Sequence, residues 1–159
     1  MGTAHRTWLK MIEIVLCENQ NLPNGDLPAN TNFLIHWKFD QVSFPSETWY
    51  DAPMIILSWW TRELHELRLG EASEASLLFM EGSYEVKLVR FSKTQISLYF
   101  ENKYILNVSL EEVSQSLIIA LNKMVSILTR RMSNAIEVSN LLICIKFLQD
   151  NSDLNPNIT

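Results

Sequence analysis

The side chains that most often act in catalysis or metal binding are few in this sequence and widely spaced. The histidines are His5, His36 and His65, and the cysteines are Cys17 and Cys144. None of them forms a His-x-x-x-His or Cys-x-x-Cys pair, the spacings that bring two ligands to one zinc ion. Both cysteines lie in apolar segments, where a thiol packs in the core and is unreactive. The sequence therefore indicates no metal site and no cofactor, and we do not expect an enzyme.

One arrangement of these residues leaves a second hypothesis open. His36 lies in a predicted strand, while Trp60 and His65 lie in the predicted helix that follows. If the sheet and this helix bring the three side chains together, they line a pocket for a ligand or for acid–base chemistry. The alternative to a binding protein is therefore a small ligand-binding domain or enzyme with a pocket between the sheet and the first helix.

Aromatic and acidic side chains are frequent between residues 37 and 63. Tryptophan and tyrosine are favoured at the centres of protein interfaces, and an acidic rim suits a basic partner. The candidate partner-binding residues are Asp40, Glu47, Trp49, Tyr50, Asp51, Trp59 and Glu63. Core packing of the aromatic rings and ordinary solvation of the carboxylates explain the same residues without a partner, and both interpretations stay open at this point.

Length and charge set limits on the class of protein. The chain has 159 residues, with 13 basic and 18 acidic side chains and a formal net charge of -5. This length fits one domain over 1–159, with a core at about 7–149 and a polar tail at 150–159. The charge disfavours a broad contact with nucleic acid. We find no apolar run long enough for a membrane span and no signal-peptide pattern, so we expect a cytoplasmic protein.

Period-2 alternation and turn residues predict the strands. In 33–39, Phe33, Ile35, Trp37 and Phe39 alternate with more polar residues, as in a half-buried strand. The other predicted strands are 7–17, 76–81, 84–91, 95–100 and 104–108. The last four follow one another through short turns and predict a β-meander.

Helical spacing and capping residues predict three helices. Asp51 and Pro53 open a helix over 53–69, which ends at Gly70. Ser109 and Glu112 match a capping box at the start of the second helix, and a third is expected at 135–149. The order β-β-α-β-β-β-β-α-α predicts an α+β fold, an antiparallel sheet with helices packed on one face.

Several segments together resemble a group of small bacterial proteins. The resemblance covers most of 33–128. The segments are Trp37-Lys38-Phe39-Asp40, Phe44-Pro45, Trp49-Tyr50-Asp51-Ala52-Pro53, Ile56-Leu57-Ser58-Trp59-Trp60, the hairpin from Leu77 to Val86, and Val108-Ser109-Leu110-Glu111-Glu112. The group contains uncharacterised proteins and immunity proteins of bacterial polymorphic or contact-dependent toxin systems.

This resemblance implies a function. An immunity protein of this kind acts in the cytoplasm, where it binds a cognate toxin domain and blocks it by occlusion. It implies no catalytic residues. Many toxin domains are nucleases with basic grooves, to which an acidic protein is steered by its charge.

A third hypothesis, which does not depend on the resemblance, is that the chain is a subunit of a larger assembly, with the apolar strand 7–17 at an interface.

Overall fold

The fold is α+β, as the sequence predicts, in a computed structural model that describes residues 12–150. The predicted residues 7–11 and most of the predicted tail lie outside this range. Within it, the elements in chain order are β1 (Ile12–Cys17), β2 (Phe33–Phe39), β3 (Val42–Phe44), β4 (Tyr50–Asp51), α1 (Pro53–Leu69), β5 (Glu74–Leu78), β6 (Glu85–Arg90), β7 (Gln95–Phe100), β8 (Tyr104–Ser109), α2 (Leu110–Arg130) and α3 (Ala135–Gln149).

The strands form two antiparallel sheets in place of the one that the sequence analysis expected. In the first sheet β2 is central and pairs with β1, β3 and β4; in the second, β5 to β8 form the predicted meander. The short strands β3 and β4 fall between the predicted strand 33–39 and the predicted helix 53–69, where the sequence predicts no strand. A strand of two or three residues is too short to show an alternating pattern, so its presence depends on its partner strand.

The two sheets and the helices share one hydrophobic core, which extends from Ile12 to Leu148. The inward residues predicted for β2 are buried. Trp37 packs against Trp60 of α1, with ring centroids 5.5 Å apart, and against Phe100 of β7, at 6.3 Å. These rings join the first sheet, α1 and the second sheet.

A helix side chain hydrogen-bonds to an edge strand of each sheet, β5 in the second sheet and β1 in the first. The indole N–H of Trp60 donates to the carbonyl oxygen of Leu78 in β5, at 2.7 Å. The hydroxyl of Ser116 in α2 donates to the carbonyl of Ile12 in β1, at 2.9 Å. An uncovered strand edge is a site for unwanted pairing with other chains, and each bond occupies one carbonyl of an edge strand.

The predicted helix ends are largely confirmed. Gly70 ends α1 in the left-handed conformation, with φ 78°, and the Ser109 hydroxyl accepts the Glu112 N–H at 3.0 Å at the start of α2. One cap is different, because Ala52 and not Asp51 is the N-cap of α1. The expectation for Cys17 was also wrong: it is exposed, because it alternates with the buried Leu16 on β1.

Asn134, in the turn between α2 and α3, forms hydrogen bonds to the loop after β1. Its side chain accepts the Leu27 N–H at 2.8 Å and donates to the Leu27 carbonyl at 2.7 Å, and its own N–H donates to Asp26. Asn134 is buried and left-handed, with φ 57°, a conformation that asparagine tolerates better than most residues.

We expect Asn134→Ala to lower the free energy of unfolding by about 3 kcal/mol, because it leaves the N–H and carbonyl of Leu27 unpaired and strains a left-handed residue. Chemical denaturation measures this. The exposed Asn122 on α2 supplies the control, and Asn122→Ala should change stability by less than about 0.5 kcal/mol. A change in the free energy of unfolding that is equally small for Asn134→Ala would show that the hydrogen bonds of Asn134 contribute little to stability.

Candidate functional site

The carboxylate of Asp51 is fully buried and accepts hydrogen bonds from residues on both sides of the junction between β4 and the β5–β6 turn. Near it in sequence, the indole N–H of Trp49 donates at 3.1 Å and the backbone N–H of Ala52 at 2.8 Å. From the turn, the N–H groups of Met80 and Glu81 donate at 3.1 and 3.2 Å. A buried charge is tolerated when it is hydrogen-bonded in this way. Asp51 therefore fixes the position of the turn relative to β4.

The Asp51 contacts also explain where β5 ends. The sequence analysis extended this strand to residue 81, whereas it stops at Leu78. The N–H groups of Met80 and Glu81 bind the Asp51 carboxylate and are not available to a partner strand. Gly82 follows, so close to the Trp49 ring that a Cβ there would lie 2.8 Å from it. The turn is thus packed directly against Trp49.

Exposed and half-buried side chains lie on the two segments that meet at this junction, 47–50 and the turn at 80–84. We name this set the hairpin surface and define it as Glu47, Trp49, Tyr50, Met80, Glu81 and Tyr84. Tyr50 is 51% exposed. Trp49 is half-buried and packs edge-on against Tyr84, with ring centroids 5.2 Å apart. The rings of Trp49 and Tyr84 therefore hold each other in place while part of their surface faces solvent.

The charge at the hairpin surface is negative. Glu47 and Glu81 are both exposed, and neither belongs to the ion pairs Lys87–Glu74 and Arg130–Glu18 that the described part of the chain contains. Exposed carboxylates and exposed aromatic rings both match the chemistry of lysine and arginine, which form ion pairs and cation–π contacts. The hairpin surface is thus chemically complementary to a basic surface.

The structure does not bring all the predicted partner-binding residues together. Glu47, Trp49 and Tyr50 lie on the segment that enters the junction, and Trp49 contacts the turn. Tyr50 alternates with Asp51 on β4 and so points to the other face, while Asp51 is buried and closed to a partner. Asp40 lies in the turn after β2, at the opposite end of that strand from Asp51, which pairs with Phe33. Seven residues of strand separate the two ends by roughly 20 Å.

The remaining two predicted residues lie on α1. Trp59 is 37% exposed, and Glu63, one turn further on, is half-buried. The neighbouring Trp60 is fully buried, so the pair of tryptophans divides between surface and core. Met80, Glu81 and Tyr84 were missed by the sequence analysis. Their positions on either side of Gly82-Ser83 are visible in the sequence. The packing of Tyr84 on Trp49 and the hydrogen bonds of Met80 and Glu81 to Asp51 depend on the fold.

The predicted pocket of His36, Trp60 and His65 is not formed, because the three side chains point to different surroundings. Trp60 is enclosed by Trp37 and Phe79 in the core. His65 instead borders a groove between α1 and α3, of about 360 Å³, where it lies against Phe147 with ring centroids 5.0 Å apart. His36 lies on β2.

His36 is buried, with 4% of its surface exposed. Its Nδ1 atom has no hydrogen-bond partner among the described residues. Burial, followed by the positive charge of Lys38, lowers the pKa of the imidazole, while Glu13 and Glu47 act in the opposite direction. The neutral form is therefore favoured in the folded protein.

We expect Asp51→Asn to lower the free energy of unfolding by about 3 kcal/mol, because an amide cannot accept from all the donors that face the carboxylate. Intrinsic fluorescence should report a changed environment of Trp49 as well. Asp40→Asn is the matched control, since Asp40 is exposed and its left-handed backbone suits asparagine. Equal free energies of unfolding for the two variants would show that the Asp51 carboxylate does not stabilise the position of the β5–β6 turn relative to β4.

His36 gives stability a dependence on pH. Because its folded pKa lies below the unfolded value of about 6.5, its contribution is complete above pH 6.5. It is lost as pH falls toward the folded pKa, with a slope of up to about 1.4 kcal/mol per pH unit. Denaturation between pH 5 and pH 8 should show that His36→Gln loses this slope. His65→Gln should keep it, since His36 is still present; the reverse pattern would assign the slope to α1.

Direct indicators of function are few in the part of the chain that the structure describes. Residues 12–150 contain no group of three or more histidine, cysteine or carboxylate side chains placed to hold a metal ion. None of the helices described is both long and apolar enough to cross a membrane. No protein-family model, no curated protein and no solved structure matches the chain significantly.

Proposed function

We propose that this chain is a bacterial immunity-type protein, which binds a cognate toxin domain in the cytoplasm and blocks it by occlusion. The resemblance of residues 33–128 to such proteins motivates the proposal. The hairpin surface is the contact surface in this proposal, and it takes the place of the wider set of residues suggested by the sequence. Its partner is a basic surface, such as the substrate groove of a nuclease.

The observation that carries the proposal is the way in which Asp51 fixes the hairpin surface. Its hydrogen bonds to Met80 and Glu81 set the turn against β4, and the turn in turn packs on Trp49. A surface that is ordered before binding loses little conformational entropy when the partner arrives. This property favours tight inhibition by a small protein, as do aromatic anchors at the centre of the contact.

Charge contributes mainly to the rate of association in this proposal. The formal net charge is -5, and Glu47 and Glu81 are two of the exposed negative charges on the segments that form the hairpin surface. Long-range attraction to a basic groove accelerates encounter, and salt weakens it. Binding that is fast at low salt and slower at high salt is therefore expected.

The first experiment is capture with the tagged chain as bait in its native bacterium, followed by mass spectrometry. We expect the C-terminal domain of a large secreted protein, in a one-to-one complex. That domain is then purified and its toxic activity measured with and without the chain. Capture without loss of toxic activity would contradict inhibition, and absence of any partner from cells that express the toxin would contradict the proposal as a whole.

The second experiment locates the contact surface. We expect Glu47→Lys together with Glu81→Lys to slow association with the toxin domain about tenfold at low salt. Glu71→Lys is the matched control, since Glu71 is exposed in the loop after α1 and should change the rate little. If the double variant associates as fast as the control while the toxin is still inhibited, the contact lies elsewhere on the chain.

A further inference from the structure

The outer side of α3 is apolar although it faces solvent. Ile136 is 75% exposed, Ile143 52% and Phe147 49%. The opposite side of the helix packs against α1 and α2. The buried residues of α3 are Leu141, Cys144, Ile145 and Leu148. A helix that is apolar on both sides is normally covered on both sides.

The exposed residues follow the spacing of a helix–helix seam. Ile136, Asn140, Ile143 and Phe147 are separated by four, three and four residues, and we name them the outer seam. Residues at this spacing share one side of a helix, and the alternation of four and three is that of the paired positions in a coiled coil. The groove between α1 and α3 borders Asn140, Ile143 and Phe147 on one side and Arg62 and His65 of α1 on the other, so a helix that approaches this side of α3 also meets α1.

We propose that the outer seam pairs with the outer seam of a second copy of this chain, in a two-fold symmetric dimer with parallel α3 helices. None of the four seam positions carries a charge, so the seam offers nothing to a basic partner such as the one expected at the hairpin surface. A coiled-coil seam needs an equivalent seam opposite it, and a second copy supplies one.

Asn140 determines how the two helices pair. Buried against an aliphatic side chain, its amide would lose its hydrogen bonds to water without replacement. In a parallel, in-register pair each Asn140 faces its counterpart, and one amide donates to the other. A single asparagine at such a position is known to select register and two-stranded pairing. The same register places Ile143 and Phe147 against their own counterparts.

The size of the contact indicates a reversible dimer. Helices of 15 residues paired along one seam bury on the order of 1,000 Å² in total, the lower end of specific interfaces. The dimer does not use the hairpin surface, which lies at β4 and the β5–β6 turn. It therefore stands independently of the proposed function and leaves two copies of that surface free.

The test is sedimentation of the full chain over a wide range of concentration. We expect the mass to rise with concentration toward twice the chain mass of 18.4 kDa. Ile143→Glu and Phe147→Glu should each weaken the dimer by at least about tenfold, because each places two like charges in contact across the two-fold axis. Ile119→Glu, at an equally exposed position on α2, should leave it unchanged.

Covalent trapping tests the register. In a Cys17→Ser background, Asn140→Cys should give a disulfide-linked dimer on mild oxidation, whereas Asn122→Cys on α2 should not. Circular dichroism of each variant establishes that it is folded. A wild-type chain that stays monomeric at every concentration overturns the proposal, and so does a dimer that Ile143→Glu and Ile119→Glu weaken equally. A dimer that Asn140→Cys fails to trap overturns the parallel register.

Discussion

The contact between Trp37 and Trp60 is the interaction on which the remaining layers depend. Trp37 is fully buried at the centre of the first sheet, and its ring touches both α1 and Phe100 of the second sheet. Its indole N–H has no hydrogen-bond partner among the described residues. The missing hydrogen bond lowers the free energy of unfolding by about 1–3 kcal/mol, whereas burial of about 200 Å² of aromatic surface raises it by roughly 5 kcal/mol. Apolar contact is therefore the larger effect, and it decides that the ring stays inside.

Elements with a clear period were predictable from the sequence, and pairings between distant residues were not. The strand 33–39 and the helices 53–69 and 135–149 occur at their predicted bounds, because each repeats its apolar residues at the spacing of its own secondary structure. The division into two sheets depends on which strands meet across α1, and no local pattern records that choice. The same holds for β3 and β4, which exist only through their pairing with β2.

The candidate site shows why a local motif can mislead. Asp51 followed by Ala52 and Pro53 has the sequence of a helix start, and a helix does start there. The carboxylate, however, accepts hydrogen bonds from the N–H groups of residues 80 and 81, which lie 29 and 30 positions further along the sequence. Asp40 and Glu47 looked alike as exposed acids, yet the length of β2 separates Asp40 from the junction. Chemistry at a surface depends on these long-range contacts.

The bond between Ser116 and Ile12 has a consequence for synthesis of the chain. These residues are 104 positions apart, so the ribosome needs roughly 5–20 s to make the helix that covers β1 after β1 itself has emerged. Over that interval the first sheet has an open edge, and the apolar side chains of β1 lack the helix that packs on them. The first sheet is thus open to unwanted strand pairing during translation, and its packing is completed only when the C-terminal half arrives.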